Sequence, residues 1–263
     1  MNLQAYLDFT TQLAYRAGRI TLGYFNTGIR PDFKTDDTPV TAADRAAEQF
    51  IRGEIEKAYP DHAIIGEEFG ETIRLSAAQS ALPSVSHRWI IDPIDGTKSF
   101  LHGVPLYGVL IGLEIDGEVR VGACYCPGTD EMLCAADGLG AWWNGRRTRV
   151  SEVSELNRAC ACFTSYHGFD RVSRGPAWER LQKAVYMTRG WSDAYGYLLV
   201  ATGRAEMMLD PVMALWDCGP FPPIFREAGG YFGSWDGREG HTFNEAIACN
   251  SALLPEVLSL VAG

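Results

Sequence analysis

The sequence predicts a mixed α/β protein in two unlike parts, rich in antiparallel strands before about residue 150 and alternating between helix and strand after it. Three observations carry this. Amphipathic helical periods open the chain. Asp116-Gly117 and Asn144-Gly145 each separate runs of strand character and mark tight hairpins. Beyond them, helical and strand-like segments follow one another in turn. The polar stretch SEVSELN sets a boundary near residue 150, giving an N-terminal part over 1–150 and a C-terminal part over 151–263.

The elements follow in order. Leu3, Tyr6, Leu7, Leu13, Ala14, Ala17, Ile20 and Tyr24 fall near a 3.6-residue period, a first helix that Gly28 and Pro31 close. A second runs from about Ala42 to Ala58, with Ala43, Ala46, Ala47, Phe50, Ile51 and Ile55 on one face and Pro60 as its stop. Ala63 to Gly66 is a short strand leading into Glu67 and Glu68. Ser76 to Ser86 is small and polar, an exposed connection. Trp89 to Ile91 reads as a buried strand, and Gly96-Thr97 as a turn into a helix. Strands then cover Tyr107–Ile115, Glu118–Tyr125, Met132–Ala136, Ala141–Trp143 and Arg146–Val150. The C-terminal part reads as a strand at Ala159–Thr164, helices near Trp178–Tyr186 and Ala194–Gly203, and a strand at Ala205–Leu209. A helix at Cys218–Ala228, a strand at Glu245–Cys249 and a helix at Pro255–Ala262 complete it.

Composition bounds the function. At 46% hydrophobic and 21% charged, the 263 residues match an ordinary globular protein that needs no disulfides. A net charge of −10 argues against nucleic acid as the main ligand. Seven cysteines, an odd number without zinc spacing, read as buried reduced thiols. MNLQAYLDF lacks the basic start of a secretory signal, and no apolar run approaches a membrane span, so a cytoplasmic location without membrane contact is expected.

The stretch WIIDPIDGTKSF concentrates the chemistry. Asp92 and Asp95 close an apolar strand, where two carboxylates are costly unless paired or bound to metal. Oxygen ligands suit Mg²⁺, and a following helix N-terminus suits phosphate. Three further acidic elements stand at predicted element ends. Asp44 also fits a capping box with Thr41, Glu67-Glu68 also fits a surface loop, and Asp217 also fits a helix cap. Two residues separate Asp92 from Asp95, which does not match the DxD spacing of an aspartyl-nucleophile phosphatase. Cys218 has no nearby arginine and reads as a packing residue.

Together these segments resemble the inositol monophosphatase-like superfamily of Mg²⁺-dependent, lithium-sensitive phosphatases. The matches are Asp37-Thr38-Pro39-Val40-Thr41 with Asp44, Gly66-Glu67-Glu68, Asp92-Pro93-Ile94-Asp95-Gly96-Thr97 and Leu215-Trp216-Asp217, in family order. Within it, WIIDPIDGTKSFLHGVPLYG and GWSDAYGYLLVATGRAEMMLD look most like the histidinol-phosphate phosphatase branch. The resemblance implies a layered αβαβα sandwich of the inositol monophosphatase and fructose-1,6-bisphosphatase type, usually dimeric. It implies one Mg²⁺ on Glu67, Asp92 and the Ile94 carbonyl, and a second on Asp92, Asp95 and Asp217. Asp44 matches a position associated with a third metal and with water positioning. Glu67 and Thr97 would orient the attacking water, Gly96 and Thr97 N–H groups would cradle the phosphate, and Glu68 would support the ligands from behind. Water would add directly, with no phosphoenzyme.

The substrate must be read elsewhere. Asp210 stands where inositol phosphatases commonly carry a glutamate, and Gly190-Trp191-Ser192-Asp193-Ala194 adds an acid to their usual pattern. Ser192, Asp193 and Asp210, with Asp95 and Asp217, form the expected substrate wall. Its acids suit the amine and imidazole of histidinol phosphate, the expected substrate in histidine biosynthesis. Asp193 also fits a helix cap, and Asp210 a turn before Pro211. Inositol 1-phosphate is the alternative substrate, and a non-catalytic regulatory role on the same fold the lesser one. His102 and His167 are further candidates for the pocket, and Trp142-Trp143 for either core packing or a subunit contact.

Overall fold

The computed structural model describes residues 2–35, 39–72, 86–191 and 193–262. Asp37, Thr38, Ser192 and all of the expected Ser76–Ser86 connection except Ser86 lie outside them. Helix α1 (Leu3–Leu22) precedes a two-stranded ribbon, β1 (Asp32–Phe33) and β2 (Pro39–Val40), and helix α2 (Ala42–Ala58). Strands β3 (Ala63–Gly66), β4 (Gly70–Thr72) and β5 (His87–Asp95) lead through helix α3 (Thr97–Leu101) to β6 (Gly108–Ile115), β7 (Glu118–Cys126), β8 (Glu131–Ala136), β9 (Gly140–Trp143) and β10 (Arg146–Arg147). Then come β11 (Cys160–Phe163), α4 (Tyr166–Arg171), α5 (Gly175–Ala184), β12 (Met187–Arg189), α6 (Asp193–Ala201) and β13 (Met207–Asp210). Helices α7 (Leu215–Cys218) and α8 (Phe221–Ala228), strands β14 (Gly230–Gly233) and β15 (Ala246–Asn250), and helix α9 (Leu254–Val261) finish the chain.

Strands β3 to β10 form an eight-stranded sheet in the order β10-β9-β8-β7-β6-β5-β3-β4, antiparallel except where β3 runs parallel to β5. The hairpins stand where Asp116-Gly117 and Asn144-Gly145 supply two consecutive positive φ angles, 53° and 86°, and 46° and 74°. A second sheet of five strands, β12-β11-β13-β15-β14, has a parallel half and an antiparallel half.

Three apolar layers bind the sheets into a sandwich. Leu13, Ala17, Ile51 and Ile55 of α1 and α2 pack on Trp89, Ile111 and Val121 of the first sheet. The other face of that sheet, through Leu110 and Cys124, meets Tyr197, Phe221 and Phe225 of α6 and α8, which in turn cover Met208 and Phe232 of the second sheet. Trp178 and Leu181 of α5 and Val257 of α9 close the outside against Met207 and Ile247. The layers therefore run α, β, α, β, α. All seven cysteines are buried and unbridged, most of them filling the middle layer as small apolar groups.

Differences from the sequence expectation have local causes. Helix α1 ends at Leu22, before Gly23, rather than near Gly28. The expected helix to Tyr186 stops at Ala184, and Met187–Arg189 instead adds an edge strand parallel to β11. Val185 and Tyr186 suit an extended chain as well as they suit a helical period. The helix expected from Cys218 starts instead at Phe221, behind the separate single turn of α7, because Pro220, Pro222 and Pro223 lack N–H donors and fit only a helix start. Past Arg147 the chain leaves the sheet, so the last expected strand shortens to two residues. Strand β14 and the short helix α4 were not anticipated.

Candidate active site

The site forms where the C-terminal ends of β3 and β5 meet. Because these strands are parallel and Gly66 pairs with Ile91, the next residues, Glu67 and Asp92, emerge side by side. Asp92 and Asp95 would point to opposite faces of a regular strand, being three residues apart. The register slips between them: Asp92 pairs with Leu110 but Asp95 with Gly108, so β5 holds one extra residue. That bulge turns both carboxylates to one side. Asp217 arrives from α7 across the middle layer. Carboxylate oxygens of Asp92, Asp95 and Asp217 all lie within 4.8 Å of one another.

Such a cluster is strained electrostatically. Asp92 is 2% exposed, and burial with the nearby charges of Glu67, Asp95 and Asp217 holds its carboxyl well above the ordinary range. Asp95 is raised likewise by burial and by Asp193, Asp217 and Asp210. Burial and the same surrounding acids push Asp217 up to about 7, against a backbone hydrogen bond from Ala214 N at 2.8 Å. A divalent cation among them would remove the repulsion.

Asp44 begins α2 as the expected capping box: the Thr41 N–H and hydroxyl both donate to its Oδ2, at 2.8 and 2.5 Å. Its other oxygen, Oδ1, is buried without a hydrogen-bond partner among the described residues. An orphaned buried acceptor is expensive, and burial raises this carboxyl to about 6. The capping role and an unfilled acceptor therefore coexist in one side chain. This orphan and the carboxylate cluster both fit oxygen-coordinated divalent metal.

Glu67 shares a hydrogen bond with Asp92 and receives the Lys34 ammonium at 2.7 Å. Lys34 also reaches Glu68 at 2.8 Å. Burial opposes the Lys34 charge, but the two glutamates outweigh it and push its pKa up to about 12. Burial raises Glu68 to about 7 despite Lys34. Lys34 was missed in the sequence, where nothing separates it from a surface lysine. The Ile94 carbonyl accepts from the Thr97 hydroxyl at 3.1 Å, and Asp92 Oδ1 accepts from Ile94 N at 2.9 Å. Gly96, with φ of 90°, makes the turn into α3.

Two adjoining clefts flank the acids. One of about 550 Å³ holds Glu67, Gly96, Thr97 and Asp193; the other, of about 460 Å³, holds Asp95, Asp193, Asp210 and Asp217. They share Lys98, Thr164 and Ser165, none of which the sequence singled out. Asp193 is the first residue of α6, one position inside the cap that a helix from Ala194 would give it, and lies so close to Gly96 that a β carbon there would stand 3.1 Å from its Oδ2. Asp210 is 6% exposed at the end of β13 and accepts from the Tyr197 hydroxyl at 2.8 Å. Burial pushes it up to about 7, against hydrogen bonds from Thr164 and Tyr197. His167 lines the second cleft, whereas the exposed His102 turns back onto the Lys98 carbonyl. Trp142 and Trp143 pack into opposite faces of the first sheet, each under a guanidinium, Arg147 at 4.9 Å and Arg204 at 4.5 Å. Among the described residues no helix is long and apolar enough to cross a membrane.

Comparison with known proteins agrees with this geometry. The family model described as "Inositol monophosphatase family" matches residues 2–262. A histidinol-phosphatase of Chlorobaculum parvum is 42% identical over 94% of this chain and 93% of its own length. One of Mycobacterium tuberculosis is 36% identical, covering 94% of each. The solved structure of an IMPase from Thermotoga maritima superposes with a TM-score of 0.86 at 31% identity, over 98% of this chain and 96% of that one. With its acids gathered at the ends of β3, β5 and α7 and its full length matched, this chain belongs to the inositol monophosphatase family.

Proposed function

We propose that this protein is a Mg²⁺-dependent phosphomonoesterase that hydrolyses histidinol phosphate to histidinol and phosphate. The observation that carries the reading is the meeting of Asp92, Asp95 and Asp217 within 4.8 Å beside a cleft whose wall bears Asp193 and Asp210. The relatives named histidinol-phosphatase support the same substrate. In this reading Glu67, Asp92, Asp95, Asp217 and the Ile94 carbonyl hold two cations, and Asp44 assists a third. Bound metal supplies positive charge that acidifies a water and neutralises the phosphate in the transition state.

The chain's own groups do the rest. Thr97 spends its single hydroxyl proton on the Ile94 carbonyl, so its oxygen faces the attacking water as an acceptor. Glu67 accepts from the same water. The N–H groups of Gly96 and Thr97 hold the phosphate oxygens. Water oxygen bonds to phosphorus, the bond to the substrate's alcohol oxygen breaks, and that oxygen leaves with one of the water's two protons while the other stays on the phosphate. Asp193 meets the substrate amine across the cleft. Inositol 1-phosphate has no cation for this acid and is the weaker reading. Cytoplasmic location, a place in histidine biosynthesis and a homodimer belong to the proposal on resemblance alone.

The test is phosphate release from histidinol phosphate with Mg²⁺, after chelation, and by Asp95→Asn. Turnover should need the metal, and the variant should lose roughly a thousandfold or more, since it removes charge from a ligand. Near-normal turnover by chelated enzyme or by Asp95→Asn would remove the mechanism.

A further inference from the structure

We infer that Glu48 is a positioning residue for Glu67, so that divalent-cation affinity depends on a carboxylate that lines neither cleft. Glu48 lies one helical turn after Asp44 on α2 and is fully buried. Its Oε2 accepts from Glu68 N at 2.7 Å, and its Oε1 from Phe69 N at 3.3 Å. The preceding amide, Glu67 N, donates to Ile91 O at 3.2 Å. Three consecutive N–H groups of the β3–β4 loop are thus held, one by the strand bearing Asp92 and two by Glu48.

The loop has little freedom left. Arg52 Nε donates to Glu48 Oε1 at 2.8 Å, and the same guanidinium reaches Gly70 O and, at 3.2 Å, the Thr72 hydroxyl. Arg52 therefore clips the far strand of the loop to the carboxylate that clips its tip. Gly66 fits this contact, because a β carbon there would lie 2.2 Å from Glu48 Oε1. The backbone of Glu67 is fixed on both sides, which sets where its side chain leaves the chain. Hydrogen-bonded partners behind metal ligands commonly tune affinity by 10- to 100-fold.

The inference rests on the reading of Glu67 as a metal ligand, and the experiment separates the two. Equilibrium binding of Mn²⁺ to chelator-stripped protein is measured by titration calorimetry for wild type, Glu67→Gln and Glu48→Gln, with melting temperatures of each metal-free protein. Glu48→Gln keeps the volume but turns an N–H₂ toward backbone donors. It should bind Mn²⁺ about 10- to 100-fold more weakly, as Glu67→Gln should. A purely structural Glu48 would lower the melting temperature and leave Mn²⁺ affinity unchanged; with Glu67→Gln impaired, that result overturns the inference. Wild-type affinity in Glu67→Gln would overturn the ligand reading, and the inference with it. If Glu48→Gln does not fold, Arg52→Lys tests the same clip, since one ammonium cannot span three acceptors. A several-fold weaker Mn²⁺ affinity supports the inference, and unchanged affinity overturns it.

Discussion

Gly112 and Gly219 meet backbone to backbone: a β carbon on Gly112 would lie 2.3 Å from the Gly219 carbonyl oxygen. This contact lets the α7–α8 junction sit directly on β6, and Asp217 is two residues away from it. Gly122 on β7 repeats it, with Pro220 O only 2.0 Å from its would-be β carbon. Neither neighbour is a side-chain end that can swing aside.

Gly112→Ala should therefore cost about 1–3 kcal/mol through overpacking and weaken metal binding by displacing Asp217. Gly53→Ala is the control, because nothing lies within 4 Å of a β carbon there and α2 gains helix propensity. Urea unfolding of both variants checks this. Wild-type stability in Gly112→Ala would contradict it.

Metal should stabilise the protein in a pH-dependent way. Asp217 has a folded pKa of about 7, above its ordinary 3.8, and Asp92 and Asp95 are raised too. A carboxyl raised on folding binds its proton more tightly in the native state, so these groups favour the metal-free fold more as pH falls from about 7 toward 4. Protons then compete with metal. The rise in melting temperature on adding Mg²⁺ should be large at pH 8 and shrink as pH falls below 7. An equal rise at both would count against a carboxylate site.

His62 should set an opposing acid limb. It stacks 4.4 Å from His87 and accepts from Trp89 Nε1 at 3.0 Å. Burial, with the neighbouring His87, lowers its pKa to about 4. A histidine depressed on folding takes up its proton first in the unfolded state, so stability is lost as pH falls from about 6.5 to 4. His62→Gln should flatten this part of the profile in chelated protein. It should also lose about 1 kcal/mol at neutral pH with the Trp89 hydrogen bond. An unchanged slope between pH 6.5 and 4 would show that another group is responsible.

The legible parts of this protein were those with local signatures. Helix α2, its Thr41–Asp44 capping box and both hairpins stand where periodicity and turn residues put them. Asp92, Asp95 and Asp217 converge as expected, but the reason was hidden. Local patterning does not reveal that a bulge would put Asp92 and Asp95 on one face, or that two glycines would admit α7. Lys34, Glu48 and Thr164 were invisible because their significance is tertiary: each gains meaning only from a carboxylate or amide distant in the chain. Edge strand β12 was lost for the opposite reason: Val185 and Tyr186, just before it, fit a helical period as well as an extended one.

The two acids of the substrate wall should behave differently. Asp210 already takes hydrogen bonds from Tyr197 and Thr164, so Asp210→Asn should disturb packing and depress all substrates together. Asp193 borders both clefts. Asp193→Asn should cost roughly 10- to 150-fold in kcat/KM for histidinol phosphate, the worth of a charge-assisted hydrogen bond. A small phosphate monoester of an uncharged alcohol that cannot reach Asp193 should be turned over nearly equally by wild type and variant. Equal losses on both esters would mean damage to the metal site instead.

The central claim, that these acids make a histidinol-phosphate phosphatase, is tested most directly by kcat/KM for histidinol phosphate and inositol 1-phosphate, measured side by side with Mg²⁺. The account predicts a clear preference for histidinol phosphate, abolished for both esters by chelation. Faster turnover of inositol 1-phosphate would contradict it.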